Sequence, residues 1–299
     1  MSQQWTQHKE RGSPFLVKLI FWIALKCGRP VTRLFLHPIV LYFLITATDQ
    51  CHASSDYLKR VLKRSPGLLD RYRHIHCFAS TILDRVYLLA DRFESLDVRI
   101  HNDEILLNEL NKKRGCLLLG SHLGSFEVLR ALAVKHDDVR LKILMYRDHN
   151  PVITRLLESL NPKVADMVID IGKPDAMIKV GEYIEKGYAV GLLGDRVSEN
   201  IKVADCSFLG ERAAFPTGPI LLASVLNAPV VLFFGLYRGG KRYDVHFEML
   251  GEDIKIKRPN REAEAALWTQ QYVKRLEHYT QSAPYNWFNF YDFWKANAD

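Results

Sequence analysis

Leu117-Leu118-Leu119-Gly120-Ser121-His122-Leu123-Gly124-Ser125-Phe126-Glu127 is the stretch on which the reading of this chain turns. Cys116 to Leu119 is an apolar run too short for a helix, as expected of a strand buried on both faces of a sheet. Gly120 and Gly124 flank His122 and permit a tight bend there. Glu127 falls in the first turn of a helix predicted over Ser125 to Lys135. Ligands in such folds bind beyond the carboxyl ends of strands, so an imidazole in this bend is well placed to take a proton from a hydroxyl. A nearby carboxylate would orient the ring and stabilise its charged form. Positions five apart do not share a helix face, so His122 and Glu127 pair only if His122 lies in the bend before the helix.

Outward from this stretch, short apolar strands alternate with helices from about residue 97, the signature of an α/β fold with a central mixed sheet flanked by helices. The predicted strands are Cys116 to Leu119, Leu141 to Tyr146, Val164 to Ile171, Ala189 to Leu193, Val230 to Leu236 and Tyr243 to Met249. Predicted helices cover Asn102 to Lys113, Ser125 to Lys135, Pro151 to Leu160, Asp175 to Lys186, Thr217 to Leu226 and Glu262 to Ser282. The last two strands meet at Arg238-Gly239-Gly240-Lys241, which leaves room only for a hairpin. Between Ser54 and Phe93, two amphipathic helices break at Ser65-Pro66-Gly67. His74 and His76 lie in the second, about 200° apart on its surface, which argues against a shared metal ion.

The N-terminal region differs. Apolar runs Phe15 to Cys27 and Leu34 to Ala47 are separated by Gly28-Arg29-Pro30, and Lys18, Lys26, Arg29 and Arg33 interleave with them. A run of roughly 14 helical residues reaches about 21 Å, short of the hydrocarbon thickness of about 30 Å. The pattern therefore predicts an interfacial helical hairpin over residues 1–50, membrane-associating, ahead of an α/β domain over residues 51–299. No small-x-small site follows the first run, so the segment does not read as a signal peptide. The chain has 299 residues and a formal charge of +7, which implies attraction to an acidic surface. Basic residues set among apolar runs point to a membrane surface and not to nucleic acid. Five scattered cysteines form no C-x-x-C pair, which fits a reducing compartment without zinc or disulfides.

A series of blocks gives the chain a resemblance. Gly120-Ser121-His122-Leu123-Gly124-Ser125-Phe126-Glu127, Tyr146-Arg147-Asp148-His149-Asn150-Pro151, Gly194-Asp195-Arg196, Phe208-Leu209-Gly210, Phe215-Pro216-Thr217-Gly218 and Ala228-Pro229-Val230 occur in order. Together they resemble the bacterial lipid A late acyltransferases, within the lysophospholipid acyltransferase superfamily and its H-x4-E type. The resemblance implies an O-acyltransferase moving a fatty acyl group from an acyl carrier protein or acyl-CoA thioester to a lipid hydroxyl. It implies no metal or cofactor, a lipid A-like or other glycolipid acceptor, and residence on the cytoplasmic face of the bacterial inner membrane. It also assigns His122 as general base and Glu127 as its partner. Arg147, Asn150, Asp195, Arg196 and Ser125 would line the substrate site.

Two departures stand out. Asp195-Arg196 replaces an Asp-Gln common in these enzymes and adds a charge beside the site, which points to a different acceptor. The aromatic tail Asn286 to Trp294 lacks their basic character and looks more like a branch associated with aryl polyene or other lipid assembly. On physical grounds the tail reads first as core packing. A serine nucleophile beside His122 is disfavoured, since Gly120-Ser121-His122-Leu123-Gly124 lacks the nucleophile-elbow spacing. The alternatives are an acyl-thioester hydrolase or lipase using the same histidine, and a non-catalytic acyl-lipid binding protein.

Overall fold

Side-chain alternation along β2 (Cys116–Gly120) sets the layering. Leu117 and Leu119 enter the core on one face of the sheet, Cys116 and Leu118 the core on the other, as the two-residue period of a strand requires. The same division recurs in β8 (Val230–Gly239), where Val230, Leu232, Phe234 and Leu236 face one way and Val231, Phe233 and Tyr237 the other. Both faces therefore need a helical cover.

The computed structural model describes residues 14–129, 139–146, 166–197 and 201–294, with side chains from Trp22 onward. The remaining strands are β1 (Asp97–His101), β3 (Leu141–Met145), β4 (Val168–Asp170), β5 (Ala189–Leu193), β6 (Val203–Phe208), β7 (Glu211–Pro216) and β9 (Arg242–Gly251). Seven form one sheet in the order β1-β9-β8-β2-β5-β3-β4. Only β8 and β9 run antiparallel within it, so the sheet is mixed as predicted. The described helices are α1 (Pro14–Thr46), α2 (Thr48–Leu62), α3 (Leu68–Leu89), α4 (Asp103–Asn111), α5 (Ala176–Glu185), α6 (Gly218–Leu226) and α7 (Arg261–Ser282). Helices α5, α6 and α7 cover one face through Val180, Ile220, Tyr272 and Leu276. Helices α3 and α4 cover the other through Cys77, Leu88 and Leu106.

Several boundaries differ from the sequence reading. The predicted strand Val164 to Ile171 shrinks to β4, and its first two residues lie outside the described part, as does the predicted helix Pro151 to Leu160. Residues 126–128 form a turn and helix begins only at Leu129, so Glu127 precedes the helix predicted from Ser125. β1 is half-exposed and was too polar to show alternation. Phe208-Leu209-Gly210, for which no strand was predicted, lies at a β6–β7 hairpin turned at Leu209 (φ 53°) and Gly210 (φ 86°). It escaped the reading because a Leu-Gly turn lacks the usual Asn or Asp signal.

Helix α1 is kinked at Gly28, whose φ of 80° lies in the left-handed region, where the sequence placed the break. Its Ala24 and Leu36 pack with Leu83, Val86 and Tyr87 of α3. Arg29 is buried and meets Asp84 of α3 through two hydrogen bonds of 2.6 and 2.8 Å. Tyr243 of β9 donates to the same carboxylate, while Arg29 also donates to the Gly240 carbonyl. The boundary expected at residue 50 falls within α2. On its outer side α1 exposes Trp22, Val31, Leu34, Phe35, Leu41, Tyr42 and Ile45. No single described helix is long and apolar enough to cross a membrane, although Trp22–Thr46 and Thr48–Leu62, bent by 96°, pass together on length and composition.

Removing one partner of a buried ion pair strands the other charge, at a cost of about 3 to 5 kcal/mol. Asp84→Ala should therefore lower unfolding free energy by that amount in denaturant melts, and Arg29→Met with Asp84→Leu should recover most of it. A loss below about 1 kcal/mol for the single variant would mean that this pair does not lock α1 to the domain.

Candidate active site

Parallel pairing of β2 with β5 sets Gly120 opposite Leu193. The Gly194 amide extends the ladder to the Gly120 carbonyl at 3.0 Å. Two residues beyond the paired ends, His122 and Asp195 consequently project from adjacent strands into the same space. His122 Nδ1 lies 2.7 Å from Asp195 Oδ1, and the His122 amide donates to both carboxylate oxygens at 3.1 and 3.0 Å. Asp195 is fully buried, whereas the His122 side chain remains 26% exposed.

Two further donors reach the same carboxylate from the C-terminus. Trp287 Nε1 and Asn289 Nδ2 donate to Asp195 Oδ2 at 2.9 and 3.0 Å. Burial alone would raise the Asp195 pKa, but the charges and donors of His122 and Arg196 overcome it and hold the group at about 2. An ionised Asp195 accepts, so Nδ1 of His122 carries the proton and Nε2 the lone pair. For His122, loss of hydration and the positive charge of Arg196 outweigh the carboxylate and lower its pKa, favouring the neutral ring. The site thus presents a neutral, oriented imidazole with a basic Nε2.

Glu127 does not perform the orienting role expected of it. Among the described contacts it has no hydrogen bond to His122. Its Oε1 lies 2.6 Å from Arg85 Nε of α3 as a close ion pair, and its Oε2 accepts from Ser125 Oγ at 3.2 Å. Its charge nevertheless favours the protonated imidazole through space. The orienting carboxylate arrives instead from the neighbouring strand, where register and not sequence spacing places it.

Other expected residues divide similarly. The Ser125 hydroxyl is buried against Glu127 and shows no contact with His122, so no Ser–His dyad forms there. Arg196 aims its guanidinium at the tail, donating from Nε to Asn289 Oδ1 at 2.7 Å and from Nη2 to the Phe288 carbonyl at 3.0 Å. It stands close enough to Asp195 and His122 to act on both while it ties down the tail. Arg147 and Asn150 lie outside the described residues.

The tail closes over the bend as a strap. Leu123 bridges Trp287 in antiparallel fashion, Phe288 N donates to the His122 carbonyl at 2.8 Å, and Gly124 N donates to the Asn286 carbonyl at 2.8 Å. Ser125 N donates to the Gly235 carbonyl, so the amides of His122, Gly124 and Ser125 are all committed to the fold. That leaves these three amides no free N–H to donate to an oxyanion. Gly124 is obligatory here, with φ at 73° and a Cβ that would stand 1.9 Å from the Gly235 carbonyl oxygen. Trp287, Phe288, Asn289, Phe293 and Trp294 are buried, so the aromatic tail is core packing. Trp287 and Asn289 were missed as site residues. The signal available was Asn286 and Asn289 within an otherwise aromatic run, since buried amides need polar partners.

His74 is fully buried between Ser54 Oγ at 2.8 Å and the Trp287 carbonyl at 2.9 Å, which accounts for it without a metal. Among the described residues one group, His101, Asp244 and His246, brings potential ligand atoms within 4.8 Å of one another. Its two imidazoles stack with planes 9° apart, so their in-plane lone pairs cannot converge on one ion. Asp244 is moreover paired with both Arg238 and Arg242.

The model of the bacterial lipid A biosynthesis acyltransferase family matches residues 82–296, which include the whole sheet, His122, Asp195 and the strap. No curated protein matches the chain.

Because the Asp195 carboxylate favours the imidazolium, its removal must lower the His122 pKa further. In histidine NMR titrations Asp195→Asn should shift the His122 midpoint downward, and Glu127→Gln should shift it less. The reverse ranking would return the orienting role to Glu127.

Proposed function

Because the chain belongs to the bacterial lipid A biosynthesis acyltransferase family, and is on that ground a lipid acyltransferase, we propose that it transfers a fatty acyl group from an acyl carrier protein or acyl-CoA thioester to a lipid hydroxyl, with His122 as general base. The acceptor is lipid A-like, or another glycolipid or polyene lipid. What carries the reading is the Nδ1 bond from His122 to Asp195, which leaves Nε2 as the lone-pair acceptor of a ring that is not fully buried.

In the proposed reaction Nε2 takes the acceptor's hydroxyl proton as its oxygen attacks the thioester carbonyl. Asp195 stabilises the resulting imidazolium through Nδ1, and Glu127 assists through space. Collapse of the tetrahedral intermediate breaks the carbon–sulfur bond. The thiolate leaves and recovers the proton from Nε2, so ester and free thiol are the products. These steps use no resident cofactor. The basic chain would steer an acidic carrier protein toward the site.

Membrane attachment is part of the proposal. The exposed positions 31, 34, 35, 41, 42 and 45 of α1 fall within about 120° of helical arc, since successive residues advance by about 100°. An amphipathic helix whose apolar face points away from its own core is suited to lie in the headgroup region. The proposed location is the cytoplasmic face of the bacterial inner membrane, where carrier thioesters are available.

His122→Ala should reduce transfer by at least about 10²-fold while the melting temperature is retained, given the usual contribution of a general base. The base acts only when neutral. Activity should therefore rise with pH through a midpoint below the usual histidine value of 6.5 and level off above it. Thioester cleavage that proceeds equally without a lipid hydroxyl would show a hydrolase instead.

Leu34→Glu with Leu41→Glu and Ile45→Glu should release the protein from sedimenting lipid vesicles without unfolding it, because all three side chains are solvent-exposed. Undiminished sedimentation would exclude α1 as the attachment face.

A further inference from the structure

Between α1 and α3 lies a basic cluster that the proposed reaction does not use. His37 stacks on His76 with ring centroids 5.2 Å apart, and Tyr72 stacks on His76 at 5.7 Å. The Tyr72 hydroxyl is hydrogen-bonded to His37 Nδ1. Arg33, one turn before His37, holds its guanidinium 5.9 Å from the Tyr237 ring centroid, and its Nη1 is buried without a partner. Among the described residues no carboxylate pairs with Arg33, His37 or His76. Loss of hydration, Arg33 and His37 all lower the His76 pKa, as expected of basic groups gathered without an acid.

His37, His76 and Tyr72 pack together with Arg33 near enough to act on His76, and basic groups gathered without a counter-charge disfavour one another unless an anion joins them. An arginine fork with imidazole and phenol donors matches the oxygens of a phosphate. The neighbourhood selects the source of that phosphate. His37 borders the exposed apolar stripe of α1 beside Leu34 and Leu41, so a lipid with its chains against the stripe would bring its headgroup to this cluster. We propose that Arg33, His37 and His76, with the Tyr72 hydroxyl, form a binding site for the phosphate of an anionic membrane lipid headgroup, one with no cationic group of its own beside the phosphate. The inference rests on the interfacial reading of α1 given above. It is separate from the catalytic pair: His76 and Arg85, the partner of Glu127, stand nine residues apart on α3 and so on opposite faces of that helix.

The test uses the full chain in flotation with phosphatidylcholine vesicles, with and without phosphatidylglycerol. The wild type should favour the vesicles containing phosphatidylglycerol. Arg33→Gln with His76→Gln should weaken that binding by about 5-fold or more, since one arginine at an anionic surface is worth roughly 5-fold. Binding to pure phosphatidylcholine and the thermal melt should not change. His37→Asn, at an exposed position, should give a smaller loss in the same direction without risk to folding. Equal binding of wild type and all variants to the anionic vesicles would overturn the site while leaving the interfacial helix intact. A wild type that floats with neither vesicle would overturn both. If inorganic phosphate alone bound with the same residue dependence and the vesicles showed no preference, the ligand would be the free ion and the lipid assignment would fall.

Discussion

An ionised carboxylate with no exposure to water sits at the centre of this molecule, and much of the surrounding structure follows from the need to keep Asp195 charged there. Burying an unpaired carboxylate costs many kcal/mol, so the group must be surrounded by donors or give up its charge. Four donor groups supply the compensation: the amide and imidazole of His122, the indole of Trp287 and the amide of Asn289. Two come from the bend after β2 and two from the far end of the chain. The residues that orient the His122 imidazole are therefore also those that hold the C-terminus down, so the proposed chemistry and closure of the fold share one ion.

This arrangement explains the character of the strap. Its aromatic rings bury apolar surface against the β6–β7 hairpin, as in the contact between Trp287 and Phe208 with ring centroids 5.1 Å apart. Its amides meet polar needs that rings cannot. Asn286 bonds reciprocally with the Tyr237 backbone, and Asn289 stands between Asp195 and Arg196. Arg196, which as a bare sequence feature suggested an extra charge for an unusual acceptor, is also a clasp on the strap. Its field still reaches His122 and helps keep that ring neutral.

The layering, the mixed sheet and the position of His122 were legible in the sequence because they follow from local patterns: runs bounded by glycine, helical spacing, and a hairpin too short for anything else. The Gly28 kink was legible for the same reason. What could not be read was pairing across distance. Nearness in sequence and the H-x4-E resemblance both point to Glu127 as the partner of His122, but the bend carries it toward Arg85, and the register of Gly120 with Leu193 brings Asp195 against the ring. No periodicity within either strand encodes which strands are neighbours. β6 and β7 were missed because they form a separate two-stranded sheet outside the main pattern.

Helix α3 joins these observations, because its faces answer to different constraints. Towards α1 and β9 it offers Asp84, which takes the charge of Arg29 and the phenol of Tyr243. Towards the strap it offers His74, which holds the Trp287 carbonyl while the indole of the same tryptophan holds Asp195. Towards the bend it offers Arg85, which neutralises Glu127 close to the imidazole. Each tie involves a charged or buried polar group whose loss leaves a partner unsatisfied, the costly case for such contacts. A displacement of α3 would strain all three ties together. The helix that carries the apolar stripe and the histidine proposed as base are thus referred to one rigid element, although no residue of α1 touches the bend among the contacts described.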